Sequence, residues 1–312
     1  MRKSLLLFII GGLLVAGDAT AQKKVIVEEP QVSTPAQPSK GVKRKVAIGR
    51  FSNETEYGKG LFYDKENDPM GKQALDILSS KLGASGKFLL LERNDLAQLL
   101  EEAQRNGETA QQAIGADYMI IGSITEFGRK NTSQSKVFTA SKTQTVDAAV
   151  SIRLVDVTTG QIIYSDEGKG SAELTTKSTF IGTGGHAGFD ASLSDKAISA
   201  AIDQLVENII NKLSDKPWRS YFLTYDNDGI IIAGGPSQGI EAGMTFAVKT
   251  KGRQVKNPQT GILVTLPGKE VGRVTVDMTG GDTPETEYAV VSLTQGAVDG
   301  TNIANYVIEE IK

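Results

Sequence analysis

Between Val146 and Leu154 the even positions Val146, Ala148, Val150, Ile152 and Leu154 are all apolar. A period of two fits an extended strand with one buried face and no helix, because helical side chains at that spacing would point in all directions. The run Tyr118 to Ile124 is more uniformly apolar and reads as a central strand covered on both faces. Val46 to Phe51, Phe88 to Leu91 and Ile162 to Ser165 add shorter strands, the last entered through the turn Asp156 to Gln161.

Helical signals alternate with these strands. Asp68-Pro69 opens a helix with Asp as N-cap and Pro at the first helical position, and Leu75, Leu78 and Leu82 share one face. Asn94 can cap a second helix with a stripe of Leu96, Leu99, Leu100 and Ala103, ended at Asn106-Gly107. Thr109 to Ile114 reads as a short third helix. Ser192 or Ser194 opens a long amphipathic helix carrying Ala197, Ile198, Ala201, Ile202, Leu205, Ile209 and Leu213, closed by Pro217. Residues 45–216 therefore form an α/β domain. From 217 to 312 the texture is all-β: Tyr221 to Tyr225, Ile230 to Ala233, Phe246 to Val248, Glu270 to Met278 and Tyr288 to Leu293 are short strands between Gly, Pro and Asn turns. These predict a small barrel, with Asn257-Pro258-Gln259-Thr260-Gly261 as a hairpin loop.

The first 21 residues have the pattern of a secretory signal. Arg2 and Lys3 form the basic start, Leu5 to Val15 the apolar stretch, and Ala19-Thr20-Ala21 the cleavage site. Residues 22–44, with three prolines and no aromatic residue, read as a disordered tether. After cleavage 32 basic and 36 acidic residues would remain, a net charge of −4, which offers no footprint for nucleic acid.

Composition narrows the chemistry. With no Cys and one His in 312 residues, the chain has no disulfide, thiolate metal site, iron–sulfur cluster, cysteine nucleophile or two-imidazole site. An acyl-anchored protein would carry a Cys just after the apolar stretch, so the protein is expected to be exported and not lipid-anchored. The 34 glycines suit a strand-rich chain with many turns.

Three motif matches lack their contexts. Gly182 to Gly188 loosely matches a dinucleotide fingerprint but does not open a helix directly after an apolar strand. Gly235-Pro236-Ser237-Gln238-Gly239 matches the hydrolase elbow, yet lies among short strands with His186 before it, and reads as a turn. Asp64, Glu66 and Asp68 begin like a calcium loop, but the required Gly and Glu positions hold Pro69 and Leu75. No catalytic residue, cofactor or metal ligand is assigned.

The segments Gly115 to Thr125 and Leu154 to Ile162, together with Leu91-Glu92-Arg93 before a helix, resemble the CsgG/HfaB family of curli production assembly and transport components over residues 45–215. The stretch Ser237 to Met244, with Asn257 to Gly261 and Val271-Gly272-Arg273-Val274, is similar to the last domain of flagellar assembly T proteins. The resemblance implies a three-layer α/β (α+β) domain with β-hairpin excursions, followed by a small all-β barrel. It further implies a homo-oligomeric ring, association with the outer membrane, and an exported surface protein or an envelope machine as partner. A loop after the first strand would narrow the conduit, which places Tyr57, Phe62 and Tyr63 there. Two hairpins, at about Glu126 to Asp147 and Gly168 to Asp190, would enter the membrane, with Leu174, Phe180 and Ile181 as the large apolar residues of the second. Lys130 to Lys136 is polar at both parities and the apolar band is thin, so soluble or partner-binding hairpins stand as the alternative.

Overall fold

The computed structural model describes residues 41–57, 68–93, 95–105, 115–136, 139–178, 190, 192–226 and 229–312. In the first half, β1 (Arg44–Asn53), β2 (Phe88–Leu91), β3 (Tyr118–Lys136), β4 (Thr139–Asp156) and β5 (Ile162–Ser178) form one mixed sheet in the order β2-β1-β3-β4-β5. The pairs β1–β2 and β1–β3 are parallel, whereas β3–β4 and β4–β5 are antiparallel. The alternation seen in the sequence is realised on β4, where Val146, Ala148, Val150, Ile152 and Leu154 are all buried and the same face continues to Gln144.

Strand β3 departs from expectation. Tyr118, Ile120 and Ile124 are buried, but Met119, Ile121 and Ser123 on the other face are only half-buried. The strand is central by pairing yet fully covered on one face alone. Gly122 gives room for the Phe51 ring, which would stand 2.2 Å from a Cβ there.

Two helices fill the covered face. Helix α1 (Pro69–Ala84) begins as the sequence indicates: the Asp68 carboxylate accepts the Gly71 N–H at 2.8 Å. Helix α3 (Ser192–Ser214) buries all seven expected apolar positions. Both helices join the strands in a single apolar core, and Gln73 and Lys81 of α1 reach Asp195 and Asp203 of α3, each at 2.5 Å. Of the expected three layers, the sheet and the layer of α1 and α3 on one of its faces are described. Helix α2 (Leu96–Arg105) is present, while the side chains of Leu99, Leu100 and Ala103, its cap Asn94 and the expected helix at 109–114 lie outside the described residues.

The closest helix–strand approach is between α3 and β5. A Cβ at Gly168 would lie 2.1 Å from the Ala201 carbonyl oxygen, and one at Gly170 2.1 Å from that of Ala197. Helix backbone rests directly on strand backbone, with small residues on both sides. Polar contacts fasten the same seam. Asn208 donates to Asp166 at 2.8 Å, beside the Tyr164 hydroxyl at 2.6 Å, and Gln204 accepts the Lys169 N–H at 3.1 Å. Burial and the bond to Asp166 push the Tyr164 phenol up to about 12. The bond from Tyr164 in turn holds the Asp166 carboxyl below its ordinary value, with Asn208 assisting.

The second half is barrel-like. Strands β6 (Arg219–Ser220), β7 (Phe222–Asp226), β8 (Gly229–Ala233), β9 (Thr245–Thr250), β12 (Glu270–Gly280), β13 (Tyr288–Gly296) and β14 (Tyr306–Glu310) form a seven-stranded sheet ordered β6-β14-β9-β12-β13-β8-β7. Its two edge strands are consecutive in the chain, separated only by Tyr221, so the sheet curls until it nearly closes. The predicted strands are present, and the sequence reading missed β14, whose short YVIEE run gave little signal. Between β9 and β12 the chain forms a separate antiparallel hairpin of β10 (Gln254–Lys256) and β11 (Leu263–Thr265), turned at the expected Asn257 to Gly261 loop. Trp218, 1 % exposed, packs on Phe246 at 5.0 Å between centroids and donates its indole N–H to Gln238 at 2.8 Å. The core also takes in Val42, so the final residues of the expected tether are packed against the barrel.

The seam yields a prediction. Gly168→Val should destabilise the protein by about 3 kcal/mol in urea denaturation, because a rigid helix carbonyl blocks the new side chain. Gly128→Ala, on the same sheet with nothing within 4 Å of a Cβ, should change stability by less than about 0.5 kcal/mol.

Candidate functional site

The loop after β1 is tied at its base. The Asp68 carboxylate accepts both the Asn53 N–H at 2.6 Å and the Gly71 N–H at 2.8 Å, so one side chain links the end of β1 to the start of α1. Asn53 turns the chain outward: its Oδ1 accepts from Thr55 N–H at 3.0 Å and its Nδ2 donates to the Tyr57 carbonyl at 2.7 Å. Asp68 is thus employed as a cap and loop clasp, while Asp64 and Glu66 lie outside the described residues.

Tyr57, one of the three residues expected to narrow a conduit, is half-buried. Its ring lies 4.6 Å from Phe127, and the Arg129 guanidinium sits 4.7 Å over it. Arg129 also donates to Ser194 in the first turn of α3 at 2.8 Å. The cluster therefore joins the loop, the root of the β3–β4 extension and the start of α3. Phe127 and Arg129 were not singled out from the sequence. An aromatic and a cation two positions apart on one strand face are the only local sign of them. Phe62 and Tyr63 lie outside the described residues.

The first expected hairpin, Glu126 to Asp147, is the outer part of β3 and β4, paired continuously to Lys136 opposite Thr139. Residues 128–134 are exposed at both parities. The second begins as the end of β5. Leu174, offered as lipid-facing, is 8 % exposed and belongs to the core shared with Leu193 and Ala197 of α3. Its even position places it on the helix-covered face. Phe180, Ile181 and the glycine run 182–188 lie outside the described residues.

Where the two halves meet, Arg44 is 8 % exposed. It donates to the carbonyls of Val42 at 2.6 Å and Lys216 at 3.0 Å, and to the Glu310 carboxylate at 2.5 Å. Glu310 also accepts the Trp218 N–H at 3.1 Å. Beside this joint lies a cleft of about 700 Å³ bordered by Lys45, Asp117, Arg219, Lys251, Glu287 and Tyr306. Two of its cations are engaged: Lys45 pairs with Asp117 at 3.4 Å, and Arg219 bonds Glu309 at 2.9 Å. Ser237 of the hydrolase-like motif sits in a 3-10 turn (Pro236–Gln238) and donates to Glu287 at 2.7 Å. That geometry caps a turn, and Gly239 closes it at φ 78°.

Glu309, buried between Lys249 and Arg219, has burial pushing its carboxyl up and the two cationic hydrogen bonds pulling it further down, to a net value below the ordinary range. A depressed carboxylate contributes stability above the unfolded-state value, and that contribution disappears as pH falls through the folded value. Glu309→Gln should therefore lower stability at pH 7 and flatten the loss of stability between about pH 5 and pH 3, measured by thermal melts across that range.

Parts of the chain match known proteins. The family model described as curli production assembly/transport component CsgG matches residues 29–228. A Neisseria meningitidis serogroup B protein, named as a lipoprotein (NMB1126/NMB1164), is 34 % identical over 182 residues, covering 57 % of this chain and 80 % of its own. Among solved structures, the PelC dodecamer from Paraburkholderia phytofirmans is 19 % identical with a TM-score of 0.27, covering 56 % of this chain and 92 % of its own. Lipoprotein GNA1162 from Neisseria meningitidis is 14 % identical with a TM-score of 0.26, covering 55 % and 99 %. The naming of the meningococcal relative overturns the expectation that the protein is not lipid-anchored. That expectation rested on the cysteine count, which speaks to one attachment chemistry only, whereas the relative's name points to lipid anchoring. The match to the family model over more than half of the chain, and to a relative at 34 % identity, places this protein in the CsgG family.

Proposed function

We propose that the protein is a non-enzymatic component of the cell envelope that acts by assembly. Copies join through the outer edge of β5 into a ring that forms or supports an outer-membrane export or anchoring complex for a surface protein. The observation that supports this reading is the edge itself. β5 runs for 17 residues, and among the described residues no strand pairs with its outer side. Two of the strand's N–H groups are taken by side chains, Glu167 by Asp166 and Lys169 by Gln204, and the rest of an edge of that length is a template for a strand from another chain. Helix α3 holds β5 straight through Gly168 and Gly170, so the edge is presented rigidly. In such a ring the loop carrying Tyr57, Phe62 and Tyr63 would face the conduit, and Phe180 and Ile181 would meet lipid.

A second reading, a soluble periplasmic adaptor of a flagellar or cell-wall machine, is favoured by one observation. The exposed stretch Lys130-Asn131-Thr132-Ser133-Gln134 lacks the alternating apolar band that a lipid-facing strand requires.

The readings separate in one fractionation. As a ring component the protein should sediment with outer membranes as a heat-labile, detergent-resistant oligomer. The double change Phe180→Asp with Ile181→Asp should release it, since a carboxylate on a lipid face costs up to about 2 kcal/mol near the midplane. Recovery solely as a soluble monomer would overturn the ring.

A further inference from the structure

The β10–β11 hairpin leaves the barrel between β9 and β12, and directly after its polar Asn257–Gly261 turn it carries an apolar end, called the tip below. Ile262 is 64 % exposed, Leu263 60 % and Val264 42 %, three consecutive aliphatic side chains in water. Val255 stands opposite Val264, and Leu263 opposite Lys256. A two-stranded hairpin has no layer to bury such residues against. Its backbone is nonetheless well made. Asn257 accepts the Gln259 N–H at 2.9 Å, Gly261 adopts φ 73°, and Leu266 N–H bonds Arg253 at 2.9 Å. The tip is a built projection.

Charge says what it meets. From Ala242 to Lys269 there are five cations, Lys249, Lys251, Arg253, Lys256 and Lys269, and no acidic residue, in a chain of net charge −3. Lys249 is engaged by Glu309. Lys251, Arg253, Lys256 and Lys269 are exposed and take part in no ion pair among the described residues. Aliphatic residues beside the turn, with Lys256 directly opposite Leu263 and Arg253, Lys251 and Lys269 nearer the base, match an anionic bilayer interface, where acyl chains lie beneath phosphate headgroups. The aliphatic tip has no aromatic ring on which a base could stack, which disfavours nucleic acid.

We propose that this hairpin docks the C-terminal barrel on an anionic lipid surface, with Ile262 and Leu263 entering the interface and Lys251, Arg253, Lys256 and Lys269 facing the headgroups. This goes beyond the assembly reading and does not depend on the β5 edge or the first-domain hairpins.

The test is flotation of the full chain with vesicles of phosphatidylcholine alone and of an equimolar mixture with phosphatidylglycerol. The intact protein should float with the mixed vesicles, much less with phosphatidylcholine alone, and less as salt is raised, because screening shortens electrostatic reach. Ile262→Asp with Leu263→Asp should lose binding while retaining the melting temperature. Arg253→Glu with Lys256→Glu should lower partitioning by more than about tenfold on the mixed vesicles. Failure of the intact protein to bind, or equal binding by the tip variant, would overturn the proposal. A tip variant that changes oligomeric state with vesicle binding unaltered would assign the tip to a protein contact and overturn it likewise. Phe180→Asp with Ile181→Asp leaves this hairpin intact, so its effect reports on the ring reading alone.

Discussion

At Gly168 and Gly170, helix α3 lies against β5 backbone to backbone. A Cβ at Gly168 or Gly170 would come within 2.1 Å of a helix carbonyl, a distance that neither element can relieve without moving. Because of this approach the helix covers the last strand of the sheet as tightly as it covers β4, where the alternate residues Val146 to Leu154 supply the apolar floor. The Asp166–Asn208 and Gln204–Lys169 contacts then fix the helix along the strand. An edge strand of this length is ordinarily liable to fray. Here it is held on its inner side and along one face, leaving its outer edge as a stable surface.

The second constraint is the joint between the two halves. The chain enters β1 beside the place where it leaves α3, and its last strand returns to the same point. Arg44 touches all three segments through Val42, Lys216 and Glu310, and Val42 closes the barrel core next to Trp218. A guanidinium suits this position because its planar fork serves several acceptors at once. The barrel is therefore coupled to the β1 end of the α/β sheet, and the edge of β5 and the β10–β11 hairpin belong to different halves of the molecule.

What the sequence disclosed and what it withheld follow from the range of the interactions. The strand at Val146 to Leu154, the Asp68 cap with Pro69 and the long α3 stripe rest on local periodicity or capping, and all are present. The two-sided cover expected for β3 depends on what packs across the sheet, and apolarity alone overstated it. The resemblance assigns Leu174 to lipid because it places a membrane hairpin over Gly168 to Asp190, where Leu174 is one of the few large apolar residues. Its even parity with Gly168, Gly170 and Ala172 was the available sign that it points at α3. The glycines of β5 were counted toward turns, since a close helix–strand approach couples residues about 30 positions apart and leaves no local pattern. The Arg44 joint spans 172 and 266 positions and is invisible to any window. The lipid-anchor expectation failed differently, by extending one residue count to a property of the family.

The central claim is that the protein acts by assembly through the free edge of β5, and amide hydrogen exchange on the isolated chain and on its membrane-extracted form tests it most directly. The account predicts that outward-facing amides of Ile162 to Ser178 exchange rapidly in the isolated chain and become protected in the extracted form, while the β1–β3 core is protected in both. Equal exchange along β5 in the two forms would contradict it.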